Sequence, residues 1–463
     1  MSPLARLGLH ARRGFGRLTP EPFTISVFLT ALVLVVAVAF GERPAGAPLW
    51  HALASWHASA GLWRLLAFAM QASLMLVLGA ALASAPPVRR AILSLTRLAR
   101  TSRQLTLLTA LVSITLAILN WSLGLVGGAL FARAAGASAK ARGLRLHYPL
   151  LCAAGYSGLM VWHGGLSGSA PLKATTTRDM VEVLGPELAA RVGTIPLDES
   201  LLGALNLTVT GGLLVLGPLL FWALTPRDGE DPEARPIADA LADEVGREAP
   251  VEAPPADAIE RLERSPVVTW LLALPLAAAL ALYVHERGLA RIDLDTVNLT
   301  LWLAALLLHG RPHRFLAACE EGVRGCAGIL LLFPLYAGVL GLLEGSGLST
   351  RLAAAFADAS SGLFTTLAFL SAGLLNLFVP SGGGQWAIQG PILLEAGLSR
   401  GIAPADAMMA MAYGDQWTNM LQPFWAAPLL AVTRVRARDI VGYCVLWMAV
   451  GGAWMIGCLL LLT

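Results

Sequence analysis

Charge is scarce in this sequence. Aspartate, glutamate, lysine and arginine make up 14% of its 463 residues, against roughly 25% in a typical soluble domain. Hydrophobic residues reach 56% and the mean hydropathy is +0.67, which excludes an ordinary water-soluble globule. Cysteine is nearly absent as a functional element. Cys152, Cys319, Cys326, Cys444 and Cys458 stand in or beside apolar segments without CxxC or Cys/His spacing, and read as small buried apolar residues. No Ser/His/Asp order, Walker loop, GxGxxG followed by an acid, or metal-ligand spacing occurs. A membrane-embedded enzyme would need such a group, so an enzyme is not expected. The net charge of +3 comes from basic residues in short loops between apolar runs, so nucleic acid is not an expected partner either.

What the chain has instead is long uncharged runs. Phe23–Phe40, Leu65–Val88, Gly203–Leu224, Pro266–Val284, Gly325–Leu343 and Ile440–Thr463 approach or exceed the roughly 20 residues that span a bilayer as a helix. The expected class is an all-α polytopic membrane protein in the lipid bilayer. Phe23–Phe40 follows Arg6, Arg12, Arg13 and Arg17 in the layout of a signal peptide. With so much apolar chain after it, it reads as an uncleaved first span.

Basic loops assign sides. The N-terminal arginines and the cluster Arg89, Arg90, Arg97, Arg100 and Arg103 belong in the cytoplasm. The uncharged stretch about 104–132 has such a loop at each end, because Arg133, Lys140, Arg142 and Arg145 follow it. A segment flanked on both sides by cytoplasmic loops enters and leaves on one face, as a re-entrant helical hairpin. The segment about 148–172 then crosses outward and Gly203–Leu224 returns. Residues 225–265 hold twelve acidic residues, five arginines and six prolines, and read as a disordered cytoplasmic linker. By the same count a second hairpin, about 359–394, enters from the opposite face. Arg434, Arg436 and Arg438 end the next crossing inside, which leaves the C-terminus outside.

The second hairpin carries the sharpest local signal. Val379-Pro380-Ser381-Gly382-Gly383-Gly384-Gln385-Trp386 places three glycines after a proline in the middle of 36 uncharged residues. A continuous helix is disfavoured there. Irregular backbone at membrane depth is tolerated only where protein or a water-filled cavity surrounds it. The first half repeats the pattern. Asn120-Trp121-Ser122 is followed 36 residues later by Tyr156-Ser157-Gly158, and Asn376-Leu377 is followed 37 residues later by Tyr413-Gly414-Asp415. Each tyrosine opens a second break, Trp162–Pro171 in one half and Asp415–Pro423 in the other. The expected architecture is two inverted-topology repeats, residues 1–224 and 266–463. Each has a re-entrant hairpin and a broken transmembrane helix, about 148–172 and 405–433.

Broken helices expose N–H groups and positive dipole ends, which suit a small carboxylate. The side chains offered at the breaks are neutral hydrogen-bonders: Asn120, Ser122, Ser167, Ser169, Asn376, Ser381, Gln385, Gln389, Gln416, Thr418, Asn419 and Gln422. Gly382, Gly383 and Gly384 add bare backbone, and His163 is a candidate proton carrier or donor. Trp121, Trp162, Trp386 and Trp417 are candidates to wall off an apolar tail. No lysine or arginine lies within the four breaks, so the anion is expected to be monovalent or to travel with a cation. Asp415 is the acid set deepest in an uncharged crossing, and is assigned the coupling cation or proton. No cofactor is expected beyond Na+ or H+ as coupling ion.

Residues Val379–Pro391, with Tyr156-Ser157-Gly158 and Val161–Ser169, resemble the bacterial short-chain fatty acid transporter family. The resemblance implies an ion-transporter fold with paired hairpins. It also implies a butyrate-like or acetoacetate-like monocarboxylate as cargo across the cytoplasmic membrane. A secondary active transporter working by alternating access is the leading expectation. A sodium-coupled di- or tricarboxylate carrier of the same fold, a channel and a membrane-embedded enzyme are its alternatives. A homodimer is compatible with this class.

Overall fold

The computed structural model describes residues 2–42, 47–227, 230, 234–246, 255–287, 294–324, 326–354 and 363–463. Every regular element among them is a helix. Seven are long and apolar enough to cross a membrane: Pro22–Phe40, Leu66–Ser84, Ser102–Leu119, Ala204–Leu224, Pro266–Glu286, Ala327–Gly345 and Ala437–Leu462. The protein is an all-helical, multi-pass membrane protein.

Two of the long helices are barely covered by the rest of the chain. Only 11% of the Pro266–Glu286 window and 17% of Pro22–Phe40 are buried, and Leu271, Leu274 and Phe28 point outward. Ala327–Gly345 is 61% buried by the same measure. In water an exposed apolar face of that length would be an aggregation hazard. In a bilayer it is an ordinary lipid-facing surface.

Two helix pairs lie inside. The first is Ser102–Leu119 and Trp121–Ala141, separated by Asn120 alone; the second is Phe364–Asn376 and Gly382–Leu398. Residues 359–362 of the expected second hairpin lie outside the described residues. The second helix of the first pair continues past Arg133 and Lys140, further than its uncharged run, because both cations find acidic partners in Glu244 and Asp239.

Two interrupted segments pack against these pairs. Tyr148–Tyr156 gives way to 3-10 turns at Ser157–Met160 and Trp162–Gly164 before a short helix, Ser169–Lys173. Pro404–Thr418 passes through a 3-10 turn at Asn419–Leu421 and resumes as Pro423–Thr433. The first segment approaches the first pair closely enough to need glycine. A Cβ on Gly155 would lie 2.7 Å from the Gly128 carbonyl oxygen, and one on Gly128 would lie 2.2 Å from that of Gly155. Small residues at such crossings let membrane helices pack backbone to backbone.

The acidic stretch, read as disordered, holds two short helices among its described residues. Asp239–Gly246 is a helix docked on Trp121–Ala141, and Ala258–Glu263 is a second helix. Ile237 and Leu241 are 2% and 3% exposed. Two apolar anchors in a charged segment are enough to seat it, and its acids then pair with the basic loops it covers. Residues 228–229, 231–233 and 247–254 lie outside the described residues.

Candidate functional site

Each break is first held by its own half. Asn120 caps the helix Trp121–Ala141: its Oδ1 accepts from the Ser122 N–H at 3.0 Å, the Leu123 N–H at 3.3 Å and the Ser122 hydroxyl at 2.5 Å. A β-region N-cap with an amide oxygen satisfies donors the helix leaves free. The Trp121 N–H then donates to Ser167 Oγ at 2.8 Å, and the Leu166 N–H donates to the Ile118 carbonyl at 2.7 Å. The first turn is thereby sewn to the first interrupted segment.

In the second half Ser381 caps Gly382–Leu398 through the Gly384 N–H at 3.2 Å. Asn376, fully buried, spans to the second interrupted segment. Its Nδ2 lies 2.8 Å from the Asp415 carbonyl, 2.9 Å from Thr418 Oγ1 and 2.8 Å from Asn419 Oδ1. Its carbonyl accepts from Gln422 Nε2. Gln385 and Gln389 turn back toward their own pair, donating to the Ala372 carbonyl at 2.9 Å and to Ser371 Oγ at 2.7 Å.

The two halves then meet. Backbone N–H groups of His163 and Gly164 donate to Gln416 Oε1 at 3.0 and 3.3 Å. His163 Nδ1 lies 3.1 Å from the Ala412 carbonyl, and the Tyr156 hydroxyl donates to the Asn419 carbonyl at 2.7 Å. The triple glycine enters the same junction. A Cβ on Gly382 would fall 2.4 Å from His163 Nε2 and 2.7 Å from the Trp162 ring, whereas one on Gly383 would meet nothing within 4 Å. Gly382 is therefore required by a close approach and Gly383 is not.

Several buried polar atoms at this junction have no hydrogen-bond partner among the described residues. They are both carboxylate oxygens of Asp415, Asn376 Oδ1, Gln422 Oε1, Asn419 Nδ2 and His163 Nε2. Buried polar groups are nearly always satisfied, so orphaned atoms on the residues of one junction call for water, an ion or a ligand there. Asp415 is fully buried and has no ion pair among the described residues.

A model of the family described as "Short chain fatty acid transporter" matches residues 4–462. This chain belongs to that family. It is 36% identical over 445 residues to an Escherichia coli (strain K12) protein, covering 96% of each chain. It is 33% identical over 426 residues to a Haemophilus influenzae protein, covering 92% of each. Both relatives carry the name "Putative short-chain fatty acid transporter". Two solved structures align over most of the chain at low similarity. Neisseria gonorrhoeae MtrF has TM-score 0.43 and 16% identity, covering 98% of this chain and 97% of its own. The Alcanivorax borkumensis YdaH transporter has TM-score 0.42 and 18% identity, covering 96% and 97%. Scores this low do not establish a common fold. Membership of a transporter family sets aside the enzyme alternative.

Within this family member the sequence-derived site residues divide. His163, Gln416, Asn376, Thr418, Asn419, Asp415 and Gly382 share one junction, and Asn120, Trp121, Ser122 and Ser167 form the turn beside it. Gln385 and Gln389 line the second pair, with Gln385 Nε2 also 3.1 Å from Gln389 Oε1. Ser169 is half-buried on the short helix after the junction. Of the tryptophans, Trp121 and Trp162 approach each other at 6.4 Å. Trp386 is buried against Gly390. Trp417 packs on Phe369 at 4.8 Å and donates to the Met448 carbonyl, away from the other rings.

Two contributors carry no signal in the sequence. Asn206 sits in the plain apolar helix Ala204–Leu224. Its Nδ2 donates to the Gly164 carbonyl at 2.9 Å, and its Oδ1 accepts from the Tyr413 hydroxyl at 3.1 Å. Trp425 joins Trp121 at 5.1 Å and Phe424 at 5.0 Å, extending an aromatic cluster that includes Phe68 and Phe333. A lone asparagine in an otherwise uncharged span was the available clue to Asn206.

Proposed function

We propose that this chain carries short-chain monocarboxylates, of the size and charge of butyrate or acetoacetate, across the bacterial cytoplasmic membrane by alternating access. The observation that carries the reading is the junction itself: N–H groups of one interrupted segment meet Gln416 of the other, with Gly382 of the second turn against His163. A carboxylate at this point meets the unpartnered Asn419 Nδ2, and takes the His163 and Gly164 N–H groups by displacing Gln416 Oε1, with no guanidinium or ammonium from the breaks. Such a site binds one negative charge and releases it, where an arginine fork would hold it. The Trp121, Trp162 and Trp425 rings supply an apolar flank for the acyl chain.

Asp415 is the coupling residue in this reading. A bare carboxylate buried without a partner is costly, so it takes a proton or a sodium ion. Asn376, which donates to the Asp415 backbone carbonyl, and Gln422, which donates to the Asn376 carbonyl, each keep an unpartnered oxygen, acceptors of the kind that cation would need.

Residues 1–224 and 266–463 are two inverted repeats in this proposal. Their hairpins (about 104–132 and 359–394) are re-entrant, and their broken helices (about 148–172 and 405–433) rock about the shared junction. The N-terminus lies in the cytoplasm and the C-terminus outside. The uncovered face of Pro266–Glu286 meets lipid or a second copy of the chain. Counterflow in proteoliposomes tests the carrier reading. Labelled butyrate should accumulate transiently against trapped unlabelled butyrate and saturate with concentration. Linear, non-saturating flux would mean a channel instead.

A further inference from the structure

A cavity of about 1320 Å³ opens between helices that precede and follow the acidic stretch. Its wall is apolar at Leu130, Leu332 and Leu430, and carries Arg133, Arg434 and Glu244. Ala427 also lines it, two residues from Trp425, and Leu332 is chain neighbour to Phe333. The cavity therefore borders the two helices that carry Phe333 and Trp425 of the aromatic cluster.

At its rim one carboxylate of the protein itself is held by two arginines. Arg434 grips Glu244 bidentately, Nη1 to Oε1 at 2.9 Å and Nη2 to Oε2 at 3.2 Å. Arg133 pairs with the same Oε2 from the first helix pair. The grip is incomplete on the arginine side. Arg133 Nε is buried with no partner among the described residues, and Arg434 Nη2 reaches on to Glu321 at 3.4 Å. Arg434 is also placed at some cost. Its φ of +54° is the one positive value at a non-glycine among the described residues, and the left-handed region disfavours a side chain by roughly 1 kcal/mol. That conformation is the left-handed cap that ends the helix Pro423–Thr433, with the Arg434 N–H on the Leu430 carbonyl.

We propose that Arg133 and Arg434 form a docking pair for the carboxylate of the short-chain acid at the mouth of this cavity, and that Glu244 occupies the pair when no cargo is bound. The proposal rests on the transport reading above. Guanidinium groups match a carboxylate in shape as well as charge, and Leu130, Leu332 and Leu430 line the space where an acyl chain would extend. Exchanging Glu244 for the cargo keeps the number of ion pairs constant, so capture and release both stay cheap. The breaks, which lack fixed cations, then receive an anion already drawn out of bulk water. Glu244 stays close because its helix is seated by Leu241 and by the Lys140–Asp239 pair, which gives it a high effective concentration as a competitor. It also ties Arg133, before the acidic stretch, to Arg434 after it, so that cargo arrival unlatches the two sides.

Counterflow of labelled butyrate by the full-length protein, as a function of concentration, tests the idea. Glu244→Gln should lower the KM roughly three- to tenfold, the scale of one competing charge-assisted contact. Arg434→Gln should raise it, and the double variant Glu244→Gln, Arg434→Gln should lose the gain. If Glu244→Gln reconstitutes poorly, the butyrate-induced rise in Tm of the detergent-solubilised chain reads the same competition and should be larger than in the wild type. A KM and a Tm response unchanged by Glu244→Gln, or a gain that survives Arg434→Gln, would overturn the docking pair while leaving butyrate transport intact. No butyrate counterflow in the wild type would overturn the transport reading, and the docking pair with it.

Discussion

The backbone N–H of His163 donates to Gln416 Oε1 at 3.0 Å, and this single oxygen also takes the N–H of Gly164 at 3.3 Å. The His163 N–H, left free by the broken segment, and the Gly164 N–H, shared with the Val161 carbonyl at 3.1 Å, are thus answered by an amide on the other side of the chain. Gln416→Leu keeps the volume and removes the acceptor, leaving the buried His163 N–H without a partner at a cost of about 1–3 kcal/mol, and the Gly164 N–H with the Val161 carbonyl alone. Butyrate uptake per reconstituted molecule should fall at least tenfold, and the Tm should drop. Wild-type uptake by this variant would show that the bridge is dispensable.

Neighbouring glycines should behave differently. Gly382→Ala places a methyl against His163 and Trp162, while Gly383→Ala places one in open space. Gly382→Ala should abolish uptake, and Gly383→Ala should stay within about threefold of wild type, since an alanine suits a helix better than glycine. Equal activities for the two would contradict the close approach at Gly382.

Asp415→Asn removes the charge and keeps the shape. Whichever of sodium and pH governs wild-type uptake should cease to govern it in this variant, with residual downhill exchange of butyrate. Unchanged sodium and pH dependence in Asp415→Asn would take Asp415 out of the coupling role.

Asn206→Leu tests a contributor that lies outside the breaks. It removes a donor to the Gly164 and Leu201 carbonyls and an acceptor for the Tyr413 and Thr210 hydroxyls. Four groups lose a partner, so the loss of stability should be no less than about 2–4 kcal/mol. Thermal unfolding in detergent measures it. Uptake should weaken as well, because Gly164 is half of the Gln416 bridge.

Much of this was legible in the sequence for a physical reason. In an apolar span a polar residue or a glycine run is expensive, so Asn376, Gln416, Asp415 and the triple glycine stood out against their surroundings. Side-chain partners were not legible. The residue facing His163 is set by packing between segments some 250 positions apart, and no local pattern encodes it. Asn206 was hidden because a single amide in a long span looks incidental until its neighbours are known. Trp425 packs on Trp121 at 5.1 Å while Trp417 packs on Phe369, although both flank the second 3-10 turn, and no local pattern separates the two. The acidic stretch was read from composition, and its charge outweighed the two apolar anchors, Ile237 and Leu241, that seat it.

The central claim is that breaks from both sides of the chain hold one monocarboxylate. The most direct measurement is uptake of labelled butyrate into proteoliposomes with sodium and proton gradients imposed separately, for the wild type and for Gly382→Ala. The account predicts saturable uptake driven by one of the two gradients and lost in Gly382→Ala. Absence of uptake under either gradient, or full uptake by Gly382→Ala, would contradict it.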